Sequence, residues 1–156
     1  MSALQKIPYG LYILTAKDGD KDNGCIINTA TQITAMPEQF SVVVNKGNLT
    51  HEMIKKTGML AVSILKEATP FTVFECFGFV SGRKVDKFDR GADVPRMENG
   101  LCYLPEYTNA AFAGVLVRAV DCGSHSIFVA ELTQSLVLSD EPSVTYQYYF
   151  DKIKPN

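Results

Sequence analysis

The sequence predicts a mainly β protein, built on an antiparallel sheet with enough strands to curl into a barrel or a sandwich. Strand-like segments outnumber helix-like ones, and short turns join successive strand-like segments. At 156 residues the chain is most simply a single domain covering residues 1–156, long enough to bury roughly two thirds of its unfolded surface in one core. We therefore expect one β-rich domain with a few short helices.

The first predicted elements are strands separated by turns. Residues 9–16 (YGLYILTA) are apolar and rich in β-forming side chains, and a polar turn follows them. Because Asn23-Gly24 tolerates the positive φ of a tight turn, residues 25–29 are predicted to form the return strand of a hairpin. Met36-Pro37 then breaks the chain before a strand over residues 39–45.

The remaining elements are short helices and longer strands. Gly58 is predicted to cap the first helix at its C-terminus, and Pro70 suits the first turn of the second helix. The phenylalanines of that second helix are predicted to pack in the core. A hairpin connection at residues 121–124 is predicted to join the last two strands. The elements are helices over residues 50–56 and 69–77, and strands over residues 59–65, 101–105, 111–122 and 126–138.

Composition excludes several classes of function. The formal net charge of −2 leaves no basic excess of the kind that a nucleic-acid-binding surface needs. No apolar stretch is long enough to cross a bilayer, and the first ten residues lack the pattern of a signal peptide. The four cysteines form no C-x-x-C pair, so reduced thiols are expected. We expect a cytoplasmic protein with no nucleic-acid partner and no membrane segment.

Familiar catalytic motifs are absent from the sequence. The two histidines, His51 and His125, have no partner at a metal-ligand spacing, so no metal site is expected. Neither the G-x-S-x-G elbow of serine hydrolases nor the glycine-rich motifs of Rossmann and P-loop proteins occur. The chain is therefore expected either to bind a cofactor that carries the chemistry itself or to be a binding module.

Residues 45–51 (NKGNLTH) combine the features of an anion site. Lys46 supplies a cation, Gly47 lets backbone N–H groups approach a ligand, and a helix is predicted to begin near Asn48 or Thr50. Unpaired N–H groups and the positive dipole end at a helix N-terminus favour phosphate. An ordinary strand-to-helix turn with an Asn or Thr cap explains the same residues, so both interpretations stay open at this point.

Two other segments could contact the same ligand as that loop. Residues 81–88 (SGRKVDKF) place three cations within eight positions, a pattern that by itself indicates a solvated loop. Residues 28–31 (NTAT) carry amide and hydroxyl groups suited to the edge of a heteroaromatic ring or to a phosphate.

Five segments, in order along the chain, resemble motifs of the flavin reductase family. Residues 45–50 resemble the family's N-[RK]-x-[SN]-x-T loop, and residues 81–88 resemble its S-G-x-x-x-D-[KR]-F segment. Residues 10–15 and 23–29 are most similar to the flavoredoxin and high-molecular-weight rubredoxin type. The resemblance implies an antiparallel Greek-key split β-barrel that binds FMN. The other three segments are residues 7–15 (IPYGLYILT), 123–131 (GSHSIFVAE) and 144–149 (VTYQYY).

The resemblance also assigns residues to FMN. Lys46, Asn48 and Thr50 are expected at the phosphate, while residues 28–31 are expected along the ring or the ribityl chain. His125 is expected near the ring, where family members receive a hydride donor or an acceptor; the alternative is a turn residue that caps its own hairpin. The expected cofactor-binding residues are Asn28, Thr29, Ala30, Thr31, Asn45, Lys46, Gly47, Asn48, Thr50, His51, Ser81, Arg83 and Lys87, the last two as cationic contacts.

This chain departs from the family pattern at several positions. Ser124 stands where aspartate is usual, which puts a role for that carboxylate in doubt. Ile26-Ile27 stand where many members carry small polar residues, so Asn28 and Thr29 supply the polar groups of that stretch. Cys25 is expected to be a small buried residue rather than a thiol that acts on the flavin.

The implied function is that of an FMN-dependent oxidoreductase that works as a homodimer. It would pass electrons from NAD(P)H or a small redox protein to flavin, ferric or rubredoxin-type acceptors. Because the sequence holds no C-x-x-C pair, a rubredoxin partner would be a separate protein. A non-catalytic flavin-binding module, used for storage, sensing or as a partner subunit, is the alternative.

Overall fold

A computed structural model describes residues 2–88 and 93–156. Strands dominate this part of the chain, as predicted. A 3-10 turn, Ala3–Lys6, precedes them, and a π-helical turn, Tyr149–Ile153, directly continues the last helix. The strands are β1 (Tyr12–Asp18), β2 (Lys21–Ile27), β3 (Ala30–Ala35), β4 (Glu38–Asn45), β5 (Met59–Leu65), β6 (Thr108–Asp121) and β7 (His125–Val137), and the helices are α1 (Leu49–Thr57), α2 (Phe71–Gly78) and α3 (Tyr146–Tyr148).

The seven strands form one sheet in the order β2-β1-β5-β6-β7-β4-β3, and every pairing in it is antiparallel. The long hairpin of β6 and β7 lies in the middle, and the β3–β4 hairpin joins it through β4. Strands distant in sequence thus become neighbours, as in a Greek key. The edge strands β2 and β3 are not paired with each other, which leaves the barrel split. The predicted fold class is confirmed.

Both faces of β1 are covered, because the core is divided between the two sides of the sheet. Leu14 joins a cluster inside the curved sheet, which Ile54 of α1 completes. Ile13 faces the other way and packs with Phe74 and Phe77 of α2. Burial of these apolar side chains is the main stabilising term of the fold. The prediction that the α2 phenylalanines pack in the core is confirmed.

Helix α1 begins and ends at the capping residues that its sequence indicates. The Asn48 side chain accepts a hydrogen bond from the Thr50 N–H at 2.9 Å, which satisfies one of the free donors of the first turn. Gly58 adopts φ 74° at the C-cap, a left-handed conformation that glycine tolerates best.

Two sequence-based predictions about the strands are wrong, and one strand was not predicted. The turn between β1 and β2 lies at Gly19-Asp20, since Asp18 pairs with Lys21, and Asn23-Gly24 lies inside β2. Strand β3 was not expected, because its side chains are mostly exposed and show no apolar alternation. Residues 101–105 form no strand; Cys102 makes an isolated bridge with Arg96. In the described ranges we find no helix long and apolar enough to span a membrane.

Candidate functional site

A cavity of about 490 Å³ opens where the ends of β2 and β4 meet the start of α1. Its walls come from residues 25–28, residues 43–45, the C-terminal end of α2 and the C-terminal helical segment. Most of the lining is apolar or aromatic. The polar side chains that reach it include Asn28, Asn45, Asn48 and His125. A cavity of this size, with apolar walls and a few polar groups, suits a small organic ligand.

The loop between β4 and α1 is held by its own asparagines. The Gly47 N–H donates to Asn45 Oδ1 at 2.8 Å, and the Asn48 N–H donates to the Asn45 carbonyl at 3.1 Å. Asn48 then caps α1, so the capping interpretation is confirmed. The positive dipole end of α1 nevertheless lies at the cavity wall, where it favours an anion.

Lys46 ties this loop to the tip of the β6–β7 hairpin. Its Nζ lies 2.7 Å from Asp121 Oδ2, and its backbone N–H donates to the Ser124 carbonyl at 2.9 Å. Asp121 Oδ1 also accepts a hydrogen bond from the Gly123 N–H at 2.9 Å. The Lys46 ammonium and this N–H hold the pKa of Asp121 below its usual range. The hairpin therefore has a carboxylate at Asp121, although serine stands at position 124, where aspartate is usual in the motif that this hairpin resembles.

His125 lies at the edge of the cavity, directly opposite Asn45 in the pairing of β4 with β7. Its Nδ1 is 2.8 Å from Ser124 Oγ, so Nε2 is the nitrogen left to meet a ligand. Cys122, at the same hairpin tip, is exposed. The structure thus brings His125 and Asn48 to the cavity wall, whereas Lys46 pairs with Asp121 at the neighbouring hairpin tip and does not itself line the cavity.

His51 supports the site from behind the cavity wall. The imidazole is 5% exposed, and its Nε2 lies 2.8 Å from Ser126 Oγ, next to His125. Its ring centroid is 4.9 Å from that of Phe128. Burial lowers the pKa of His51, and Lys55 and Lys46 lower it further against the opposing charge of Asp121. The neutral ring therefore links the first turn of α1 to β7.

We predict that His51 makes the folded state less stable as the pH falls. Because the pKa of His51 is lower in the folded chain than its usual 6.5, the unfolded chain binds more protons in this range. The contribution is fully present above pH 6.5 and is lost as the pH falls through that value toward the lowered pKa. The free energy of unfolding, measured from pH 8 to 5, should fall less in His51→Gln than in the wild type and in the control variant His125→Gln. An equally steep fall in His51→Gln and His125→Gln would contradict this prediction.

Other expected cofactor-binding residues lie away from the cavity. The Thr50 hydroxyl is buried and accepts a hydrogen bond from Asn23 Nδ2 at 2.9 Å. Arg83 Nη1 pairs with Glu52 at 3.1 Å, and Ser81 Oγ accepts from the Arg83 N–H at 3.1 Å. Lys87 points inward, where its ammonium donates to two backbone carbonyls. These four side chains hold the loop after α2 and the start of α1 in place.

Residues 28–31 divide between two sides of the sheet. Asn28 lines the cavity described above, and Thr29 Oγ1 donates to Asn28 Oδ1 at 2.9 Å, which orients that amide. Ala30 and Thr31 line a second, smaller cavity of about 280 Å³ against Phe40 and Phe112. The sequence pattern grouped the four residues because they are consecutive, whereas β2 ends at Ile27 and β3, at the other edge of the sheet, begins at Ala30.

Sequence reasoning missed the aromatic wall of the main cavity. Phe79, after α2, and Phe150, in the π-helical turn, are 62% and 46% exposed and both line the cavity. Tyr146 and Tyr149 lie in the same wall. Residues 144–149, which resemble a motif of the family, contain Tyr146 and Tyr149. Nothing in that motif indicated that these rings lie next to the end of β2.

The side chains present fit a flavin. The apolar walls suit a planar ring system, and the positive end of α1 with Lys46 suits a phosphate at the other end of the molecule. Gly78 packs against Ile26, because an added Cβ would come within 3.3 Å of the Ile26 side chain. The end of α2 and strand β2 therefore approach each other closely in this part of the cavity wall. We find no cluster of three or more metal-ligating side chains in the described ranges.

Comparisons with known proteins find relatives of this chain. The family described as flavin reductase like domain matches residues 4–155. The high molecular weight rubredoxin of Moorella thermoacetica is 44% identical over 147 residues, 94% of this chain. The chain spans 64% of that protein's length. A ferric-chelate reductase (NAD(P)H) of Archaeoglobus fulgidus is 35% identical over 149 residues, which cover 96% of this chain and 88% of that one.

Solved structures of low sequence identity share the fold. The NADH:FAD oxidoreductase of Streptomyces globisporus superposes with a TM-score of 0.83 at 20% identity, covering 98% of this chain and 90% of that one. Flavoredoxin from Methanosarcina acetivorans gives a TM-score of 0.75 at 23% identity, covering 85% of this chain and 70% of that one. The family match and the two relatives confirm the resemblance of the motifs, and the chain belongs to the flavin reductase-like domain family.

Proposed function

We propose that the protein is an FMN-dependent reductase that takes electrons from NAD(P)H or a small redox protein and passes them to flavin, ferric or rubredoxin-type acceptors. The observation that carries this proposal is the cavity whose anion-binding end at α1 and aromatic wall at the C-terminus match the two ends of FMN. The relatives named a ferric-chelate reductase and a high molecular weight rubredoxin support the choice of acceptors.

The residues of the chain would bind and orient the cofactor rather than perform the redox step. Lys46 and the start of α1 would hold the phosphate, and Asn28 would meet a polar edge of the flavin. The aromatic wall would exclude water from the ring. Bound FMN supplies the hydride and electron chemistry itself. His125 would stand beside the ring, where a donor or acceptor approaches.

The spectrum of the purified protein, followed by anaerobic titration with NADH and NADPH, tests the proposal. We expect a yellow protein that bleaches with at least one nicotinamide and is then reoxidised by a ferric chelate, free flavin or rubredoxin. A protein that binds FMN but is reduced neither by NADH or NADPH nor by a reduced rubredoxin would be a non-catalytic flavin-binding module. A protein that stays colourless with excess FMN would contradict the proposal altogether.

Replacing His125 by alanine should reduce turnover more than FMN affinity. The imidazole of His125 lines the cavity, and its side-chain hydrogen-bond partner is Ser124 of the same hairpin. Its removal therefore leaves the loop at the start of α1 unchanged. We expect kcat/KM for the donor to fall about tenfold or more, equivalent to roughly 1.4 kcal/mol in the transition state, with a small change in the FMN dissociation constant. Equal losses in both quantities would place His125 among the FMN-binding residues.

We further propose that the protein is a homodimer. Strand β3 pairs on one side with β4 and presents its other edge to solvent, and Ile33 and Met36 on this hairpin are 46% and 93% exposed. Two exposed apolar side chains beside an open strand edge favour association with a second copy. Light scattering on the purified protein should give twice the monomer mass of 17.2 kDa; a monomer mass would contradict this assembly.

A further inference from the structure

The buried ammonium of Lys87 lies directly behind the main cavity. Its Nζ donates to the Gly24 carbonyl at 2.8 Å and to the Phe77 carbonyl at 3.2 Å, and the residue is 7% exposed. Each acceptor immediately precedes a residue that lines the cavity, Cys25 on β2 and Gly78 on α2. The cation thus sits at the seam where these two walls meet.

The surroundings of Lys87 do not neutralise its charge with a carboxylate. Within residues 2–88 and 93–156, no Asp or Glu oxygen lies within 4.0 Å of its Nζ. The ionisable groups that face it are the thiols of Cys25 and Cys76. The Phe77 ring, 5.8 Å from the ammonium, and the carbonyl at the end of α2 supply partial negative charge only. In such an apolar setting the field of a charge extends further than in water.

We propose that Lys87 is a positioning and electrostatic residue that makes the bound flavin easier to reduce. The inference rests on the proposed function and deepens it. A hydride donor transfers two electrons and one proton to the flavin and leaves as its oxidised form, so the flavin gains one negative charge unless a second proton follows. A fixed cation behind the cavity wall stabilises this more negative form relative to the oxidised form.

The test is the midpoint potential of FMN bound to Lys87→Met, measured anaerobically by equilibration with a reference dye during enzymatic reduction. We expect the preference for reduced over oxidised FMN to fall about tenfold, which corresponds to about 30 mV for a two-electron couple. Lys84→Met removes the same charge from an exposed position of the same loop and should leave the potential unchanged. Lys87→Arg should keep most of the wild-type potential, because it keeps the charge.

A second variant covers a failure of Lys87→Met to fold. Cys76→Asp leaves the hydrogen bonds of Lys87 in place and adds a carboxylate close to the ammonium, so the potential should again become more negative. Potentials equal to wild type in a folded Lys87→Met, or in Cys76→Asp, would overturn the proposal. So would equal weakening of oxidised and reduced FMN, since that indicates a structural role alone. None of these results would affect the reductase function, which fails instead if the wild-type protein binds no FMN.

Discussion

Alanine at Gly114 is expected to destabilise the protein by about 3 kcal/mol. Gly114 lies in β6 at a register shift against β7, and an added Cβ would come within 2.6 Å of the Glu131 backbone carbonyl and 2.7 Å of the Phe40 ring. Strand β7 is paired on both sides, with β6 and with β4, so its backbone has little freedom to move away. The free energy of unfolding in urea measures this loss.

Gly47→Ala is the matched control for that prediction. Gly47 is exposed in the loop before α1, and the nearest atom to an added Cβ is the flexible side-chain oxygen of Asn45 at 3.3 Å. We expect a much smaller change in the free energy of unfolding. Similar losses in the two variants would mean that the close approach of β6 to β7 at Gly114 relaxes easily.

Replacing Lys46 by alanine should weaken FMN binding by about 1–2 kcal/mol, or roughly five- to thirty-fold. The side chain stands at the positive end of α1, where a phosphate would gain a charge-assisted contact. Its present partner, Asp121, is largely exposed, and such exposed ion pairs contribute little to stability. Lys46 can therefore leave the Asp121 carboxylate and bind a phosphate at little cost in stability. Fluorescence quenching of FMN on binding gives the dissociation constant.

Three comparisons make the Lys46 prediction specific. Riboflavin lacks the phosphate, so Lys46→Ala and the wild-type protein should bind riboflavin with the same affinity. Lys56→Ala breaks a similar surface pair with Asp18 at the other end of α1 and should not affect FMN. Asp121→Asn removes the competing carboxylate and should tighten FMN binding. If riboflavin and FMN weakened equally in Lys46→Ala, Lys46 would not hold the phosphate.

The features of the fold that could be predicted are those with local signals. Helix α1 has an asparagine cap and a C-terminal glycine that act within a few residues, and the β6–β7 hairpin shows long apolar strands on both sides of its turn. The turn between β1 and β2 was predicted at Asn23-Gly24 but lies at Gly19-Asp20. The choice depends on Asn23, which enters the sheet because Thr50, far along the chain, pairs with its amide.

The candidate site could be predicted in part for the same reason. The loop before α1 carries its polar groups in consecutive residues that a sequence pattern can detect, and Asn45 and Asn48 of this loop line the cavity. The direction of the Lys87 side chain depends on which backbone carbonyls the fold leaves free behind α2, and sequence does not reveal this. The aromatic wall was missed because its rings come from segments that meet only after the C-terminal helix docks.

The exposed thiol at the hairpin tip offers a practical handle on this protein. Burial raises the pKa of Cys25 to about 11 and that of Cys102 to about 12, so both stay protonated and slow to react at neutral pH. Cys122 is exposed and lies three residues before His125. A maleimide dye should therefore label the natural sequence first at Cys122, and its emission would follow movements of the hairpin as ligands enter, without any engineered cysteine.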